Sequence, residues 1–460
     1  MLDTTITEAL AAQMRGNVLT PNDQGYDEAR ALHNGMIDRK PAMIAQCTGT
    51  ADVITCVNFA RDNGLPIRVK AGAHGVAGKA VSDDCLLIDL AEMNGVLVDP
   101  ELKTAQVQAG ARLGDLDHET QKFGLAVPSG TDSRTGVAGL TLGGGYGHLA
   151  RRFGLTVDNL LAADVVTADG SLVRASENDN PDLFWALRGG GGNFGVVTSF
   201  EFRLHEVGPE ILTAQSFHLF DDAREVLQFY RDFVADAPKE IFCVCLVLRV
   251  PPMPPFPEEH HGKIAVGLVA NDSRSEATEK NTPLRKVASF GNPILSAVMP
   301  MQFTALQSNF DAGFPKGARY YWKSHYLSDL SDEAIDTILA HTEPFPGEFT
   351  AFDFEAMDGA ISEVDQAATA FAHRNARFGL GIFGGWADES RDAEVIDWAR
   401  RFHEAMEPFS TGGGYVNYLP VDAGDEFKES YGANFERLRE IKQRYDPHGL
   451  FDAHQRIGIS

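Results

Sequence analysis

Two apolar rhythms alternate along this chain. Residues 51–63, ADVITCVNFARDN, place Val53, Ile54, Val57 and Ala60 at helical spacing, and Gly64 closes the pattern. Before and after it lie short apolar runs, 41–47, 65–70 and 85–91, and an alternating run, 103–110, all of strand character. Residues 111–124 predict a helix ending at glycine, so 41–124 forms a small α/β unit. Residues 160–176 predict a hairpin turning at Asp169-Gly170. Residues 181–189 predict a helix that starts on proline. In 196–204, Val196, Thr198, Phe200, Phe202 and Leu204 share one face of a strand. From 207 onward strand-like runs precede helix-like runs: 213–220 before 221–237, 263–272 before 273–290, 319–327 before 332–342, and 377–386 before 393–406. That is an α+β pattern, a sheet with covering helices.

Size and charge narrow the possibilities. A chain of 460 residues exceeds one ordinary core and predicts two to three domains. A net charge of −25 argues against nucleic acid or an anionic membrane as partner. The first residues, MLDTTITEALAAQMRG, lack the basic and apolar regions of a signal peptide. No apolar run is long enough to span a membrane. Cysteines 47, 56, 85, 243 and 245 are odd in number and scattered, which predicts neither a disulfide framework nor a zinc site, and Cys243 and Cys245 lie in an apolar strand-like run, 241–250. A reduced, cytoplasmic protein is the expectation. The proline-rich stretch 251–262 reads as a solvated loop. Its His260 and His261 lack further ligands at metal-binding spacing, so no metal is expected.

Three glycine-rich loops change this picture. The first, VKAGAHGVAGK (69–79), spaces glycines around His74. The second, 128–148, holds Gly130, Gly136, Gly139, Gly143, Gly144, Gly145 and Gly147. The third is 189–195. Gly190, Gly192 and Gly195 match GxGxxG, but a strand rather than a helix follows, which rejects a Rossmann site. No Lys-Ser/Thr pair follows the first loop, so it is not a phosphate-binding Walker loop. Glycine loops let the backbone approach a ligand closely, and their successive N–H groups attract anions. Three such loops suit an extended ligand bearing phosphates.

The blocks 69–81, 128–160, 181–204, 320–327 and 415–455 together resemble, in order, the flavoprotein superfamily of p-cresol methylhydroxylase and vanillyl-alcohol oxidase. Within it the chain resembles the bacterial berberine-bridge-enzyme-like FAD-linked oxidases. The resemblance implies a two-part α/β FAD-binding domain (1–206) and a substrate domain with a large antiparallel sheet backed by helices (207–411). A C-terminal segment (412–460) would return to the first domain. It implies FAD bound covalently through His74. Relatives carry a second link on a cysteine after PSGT, and Asp132 stands there, so single attachment is implied. The implied cofactor contacts are Gly72, Ala73, Gly75, Val76 and Gly78 in the first loop. In the second they are Gly130, Thr131, Asp132, Thr135, Gly136, Gly139, Gly143, Gly144, Gly145 and His148. Gly195, Val197, Tyr415 and Asn417 complete them.

The resemblance places Tyr418 on the substrate side as the general base. Tyrosine titrates near 10 in water, so that role requires a positive neighbour, with Lys323, His325, His373 and Arg374 as candidates. Periodicity alone reads 415–418 as an alternating strand, with Tyr415 and Asn417 on one face and Val416 and Tyr418 on the other. Some relatives use Glu or Gln on a strand after His-Arg. The run 373–386 offers only Gly, Leu, Ile and Phe beyond Arg377. The tail also departs from the family at His454-Gln455-Arg456, so no cofactor role is carried onto His454. The leading expectation is an oxidase acting on a small organic alcohol or amine, with O2 as acceptor, in a monomer or homodimer. A dehydrogenase with another acceptor, or a flavin-holding protein without catalysis, are the alternatives.

Overall fold

The computed structural model describes residues 4–451 and 457. His454 and the rest of the 452–456 motif lie outside them. The short apolar runs form the parallel strands Met43–Gln46, Leu86–Asp89 and Ile67–Lys70, with Asn17–Leu19 antiparallel at one edge. Helix Thr50–Asn63 covers them with Val53, Cys56, Val57 and Ala60, and Gly64 ends it in the left-handed conformation (φ 63°) that glycine adopts without strain. A second sheet is antiparallel, in the order Val96–Asp99, Thr104–Gln108, Val196–Arg203, Leu160–Val166, Leu172–Ser176. Strand Val196–Arg203 does not keep strict alternation. Its register shifts between Val197 and Ser199, so Val196, Val197 and Thr198 are all buried.

The later residues build a seven-stranded antiparallel sheet. Its order is Leu295–Gln302, Glu210–Leu219, Ile264–Asp272, Ile241–Arg249, Ala351–Ala356, Phe378–Trp386, Arg319–Leu327. Two of these strands, Leu295–Gln302 and Ala351–Ala356, escape the sequence pattern. The region 273–290, read as helix-like, contains only the helix Leu284–Ala288; Pro283 stands just before it. Proline at that point fits a helix start and breaks any longer one. One sheet face packs on helices Ala223–Asp236, Asp332–Thr342 and Asp392–Met406. Phe352, Phe354, Trp386, Trp398 and Phe402 fill that layer, each contributing about 1.5–3 kcal/mol by leaving water. The architecture is the expected α+β arrangement.

The sheet's other face looks toward the glycine loops. Charged side chains fasten the two halves. Arg374 meets Asp158 through two 2.7 Å hydrogen bonds with both side chains buried, and Arg151 meets Asp358 at 2.6 Å. Removing one partner of a buried pair costs about 3–5 kcal/mol, because the other charge is stranded. The C-terminal residues Tyr415, Val416, Leu438 and Ile441 pack into the same apolar cluster as the first two sheets.

Candidate active site

A cavity of about 1000 Å³ separates the glycine loops from the free face of the seven-stranded sheet. That is the upper end of the range for small-molecule sites. Glycine shapes its first wall in two ways. Gly72 and Gly136 pack backbone to backbone: a Cβ on Gly72 would lie 2.4 Å from the Gly136 nitrogen. Gly75, Gly139 and Gly192 line the cavity, and a Cβ on any of them would meet no protein atom within 4 Å. Their missing side chains are part of the cavity's volume. In the first loop Gly78 has φ 68° and Ala73, which is not glycine, has φ 56°, so the bend before His74 is strained.

His74 lines this wall beside a chain of polar groups. Its ring stacks on His33 at 4.1 Å, and His33 stacks on Tyr320 at 5.1 Å. Nε2 of His74 lies 3.5 Å from Oδ2 of Asp132 and has no hydrogen-bond partner. Asp132 accepts from the Arg134 guanidinium at 2.5 and 3.0 Å and from the Arg134 backbone N–H at 2.9 Å. Burial alone would raise Asp132. The His74 and Arg134 contacts outweigh it and hold the carboxyl well below its usual range. Burial, with the His74 charge adding to it, lowers His33 to about 3, so it is neutral. Lys79 also faces the cavity, its ammonium 5.9 Å from the Phe427 ring centre. Burial lowers it to about 8.

The opposite wall carries the groups suited to proton transfer. Residues 415–418 are not a strand. They form a turn closed by the Tyr418 N–H donating to the Tyr415 carbonyl at 2.8 Å, and the Tyr415 N–H donates to Ser324 Oγ at 2.8 Å. The turn brings Tyr415, Asn417 and Tyr418 to the cavity together, which alternation would forbid. The Tyr415 hydroxyl accepts from the Gly145 N–H at 3.1 Å and from Asn417 Nδ2 at 2.9 Å. Burial moves Tyr415 up to about 12. The Tyr418 ring is boxed by Trp322, Phe383 and Tyr415 at 5.4, 5.2 and 4.9 Å between ring centres.

Strand Ala351–Ala356 supplies what sequence reasoning missed. Alternation sends Phe352 and Phe354 into the helix-backed core and Asp353 and Glu355 into the cavity. The neighbouring strand pairs Gly381 with Asp353 and Gly379 with Glu355. A Cβ on Gly381 would sit 2.7 Å from Asp353 Oδ1 and 2.2 Å from the Phe383 ring. The glycines of 378–386 therefore make room for carboxylates that the adjacent strand donates. The signal was present in AFDFEA, two acids alternating with two phenylalanines. Burial raises both acids, Glu355 further through the Asp353 charge, and neither value is drawn down by any cation. Tyr418 is raised well above 10, first by burial and then by these carboxylates.

The positive neighbours expected for Tyr418 lie elsewhere. Lys323 pairs with Glu426 at 2.5 Å. His373 stacks on Tyr326 at 4.5 Å and shares a hydrogen bond with the Ser430 carbonyl, and Arg374 is engaged with Asp158. His325 stacks on His403 at 3.8 Å and, with His403 and Glu407, brings three potential metal ligands close together. Its two ring nitrogens already bond Ser410 Oγ and the His403 carbonyl, which leaves no lone pair for an ion.

Six of the implied cofactor contacts do not line the cavity. Val76 packs with Tyr320, Trp322 and Phe383 in an apolar cluster, and Gly78 abuts Ile37. Gly143, Gly144 and Gly145 are packed against Asn417, Phe371 and Thr156, where any Cβ would collide. They shape the wall from behind, Gly145 through its bond to Tyr415. His148 is buried at the seam between the halves, against Phe242 and Phe310, with both ring nitrogens unpartnered. The other implied contacts border the cavity.

Comparison with known proteins agrees with this geometry. Residues 41–176 match the family model described as an FAD binding domain, and 414–458 match that described as berberine and berberine like. The chain is 31% identical over 455 residues to an FAD-linked oxidoreductase of Dictyostelium discoideum, covering 97% of this chain and 96% of that one. It is 40% identical over 204 residues to an (R)-6-hydroxynicotine oxidase of Paenarthrobacter nicotinovorans, 44% of each chain. The solved structure of a berberine-bridge-like protein of Physcomitrella patens superposes with TM-score 0.88 at 24% identity, over 99% of this chain and 100% of that one.

Proposed function

The chain belongs to the berberine-bridge-like FAD-linked oxidoreductases, and from that premise we propose an oxidase that takes hydride from a carbon bearing nitrogen or oxygen. It is an FAD-dependent enzyme. The residues fit FAD. The open positions beside Gly75, Gly139 and Gly192 admit an elongated group close to backbone N–H donors, as a pyrophosphate requires. Lys79, which lines the cavity, adds one positive charge. When bound, FAD supplies the hydride acceptor. We assign its covalent tether to His74 alone. An imidazole nitrogen without a hydrogen-bond partner supports this, and so does a carboxylate, which cannot form a thioether, at position 132.

The observation that carries the reading is one cavity flanked by His74 and the open glycines on one side and by Tyr418, Asp353 and Glu355 on the other. Tyr418 is a neutral phenol at pH 7. It takes a substrate proton only while giving up its own, and Asp353 and Glu355, which face the same space and are raised by burial, accept that proton only once ionised. The base is thus a tyrosine–carboxylate set rather than a tyrosine activated by a cation. Trp322, Phe383 and Phe314 exclude water around it.

The test is anaerobic mixing of the purified protein with a substrate panel, followed by air. Bleaching of the flavin and rapid recovery in air are expected. Slow recovery would make the enzyme a dehydrogenase, and no bleaching across the panel would defeat the reading. Acid denaturation should leave the colour on the chain, and intact mass should give one FAD. His74→Ala should release it.

A further inference from the structure

The substrate end of the cavity is apolar and acidic at once. Strand Ile241–Arg249 turns Val244, Leu246 and Leu248 into it, and Phe217, Phe314 and Phe383 extend the same surface. A sugar needs many hydrogen-bonding partners, and a hydroxyl buried without them costs about 1–3 kcal/mol. Besides the two acids, this wall gives Gln215, Arg249, Glu348 and Thr350 among a larger number of apolar side chains. Yet Asp353 and Glu355 stand in its middle, paired across the sheet with Leu246 and Val244 on one side and with glycines on the other.

Buried acids of a folded protein are normally paired. These two have no ion-pair partner among the described residues, and Glu355 is 6% exposed. The candidates to neutralise them are engaged elsewhere. Arg249, at the strand's end, donates to the carbonyls of Gly262 and Phe345 and lies 5.7 Å from the Phe345 ring centre. Lys79 belongs to the glycine-loop wall. The remaining titratable groups facing the pair are Tyr146, Tyr415 and Tyr418, all neutral. Burial holds them toward the neutral acid, and a cation with an apolar body would match both features of this wall.

We propose that the substrate is a lipophilic amine, bound as its ammonium ion between Asp353 and Glu355 with its apolar body against Leu246, Phe314, Trp322 and Phe383. This rests on the oxidase reading and narrows its substrate class. The ammonium supplies the opposite charge that lets one acid ionise, its proton leaving to solvent as the ligand binds. One carboxylate then takes the ammonium proton, giving a carboxylic acid and a neutral amine with its lone pair free. The aromatic rings add cation–π attraction before that transfer. Gly381 is required on the neighbouring strand, because a side chain there would displace Asp353 and Phe383.

The experiment is calorimetric binding to the flavin-loaded protein. The probes are arylalkyl secondary amines, among them N-methylbenzylamine and 2-phenylpyrrolidine, each against its ether or hydrocarbon isostere, with glucose and cellobiose as sugars. At least one amine should bind 100-fold or more tightly than its isostere, about 2.7 kcal/mol. Glu355→Gln, and separately Asp353→Asn, should reduce that ratio below tenfold while intact mass shows unchanged flavin content. Equal binding of every amine and its isostere overturns the proposal. So does tighter binding of a sugar, or a preference that survives both substitutions. An amine that binds through the carboxylates without bleaching the flavin upholds this inference and defeats the oxidase reading. Bleaching by a neutral alcohol, with no amine preferred over its isostere, does the reverse.

Discussion

At one end of the cavity Asp132 lies against Arg134 and His74; at the other, Asp353 and Glu355 lie among phenylalanines, leucines and each other. All three acids are largely withdrawn from water, yet their charge states diverge. Asp132 remains a carboxylate because His74 lies against it and Arg134 grips it with two guanidinium donors and its backbone N–H. Burial pushes Asp353 and Glu355 toward the neutral acid, and among the described residues no guanidinium or ammonium offsets it. Burial sets how strongly an acid feels its surroundings, and the partner decides the sign. The first end holds a fixed charge suited to a permanent tenant. The second can change charge, which a turnover requires.

The most severe way to break this division is to fill the tenant's space. Gly139→Phe projects a ring into the open position on the cavity wall, and flavin incorporation should be abolished, read by visible absorbance and intact mass. An equally yellow variant would show that FAD does not pass Gly139.

Tyr418→Phe sharpens the second end. It keeps the ring that packs on Trp322 and Phe383 and removes only the hydroxyl. Flavin content should stay normal while the rate of flavin reduction falls by about 10²–10⁴, the range for a positioned acid–base group. Reduction at the wild-type rate would transfer the base entirely to Asp353 and Glu355.

Stability against pH tests the contrast directly. The folded value of Asp132 is lowered, so its contribution is present above the ordinary 3.8 and is lost as pH falls below that. Asp132→Asn should therefore cost stability at pH 7, with the difference shrinking at pH 3. The folded value of Glu355 is raised above 4.5, so the native state keeps a proton that the unfolded state releases. Wild-type stability should decline on that account as pH rises above 4.5. Glu355→Gln should gain on wild type over the same range, by several degrees in Tm. Parallel pH profiles for the two variants would erase the distinction between the ends.

The smallest effect is expected at Lys79. Lys79→Ala should lower flavin affinity by about 10- to 100-fold and leave incorporation intact, since one charge-assisted contact is worth about 1.5–3 kcal/mol against a grip made by backbone donors. Complete loss of flavin would move the phosphate grip from backbone to ammonium.

Much of this molecule was legible in its residues. Helix Thr50–Asn63 and its Gly64 cap, the hairpin over 160–176, and strand Arg319–Leu327 follow from local spacing and turn chemistry, which neighbours in sequence dictate. The three glycine loops announced a cavity wall, and Asp132 announced a missing thiol. Other features depend on residues far apart in the chain. Strand Ala351–Ala356 looks unremarkable until Gly379 and Gly381 lie beside it and the glycine-loop half closes over Asp353 and Glu355. Residues 415–418 alternate like a strand, but anchoring Tyr415 to Ser324 bends them into a turn that gathers three polar side chains on one side. The charge of each acid is likewise a tertiary property: Arg134 is two residues from Asp132 and was visible beside it, whereas the lack of a cation near Glu355 among the described residues emerges only when the surrounding strands and loops are in place. Sequence fixes which groups are available and the local shapes they favour; packing decides which of them share a space without water, and there partners rather than residue types determine the chemistry.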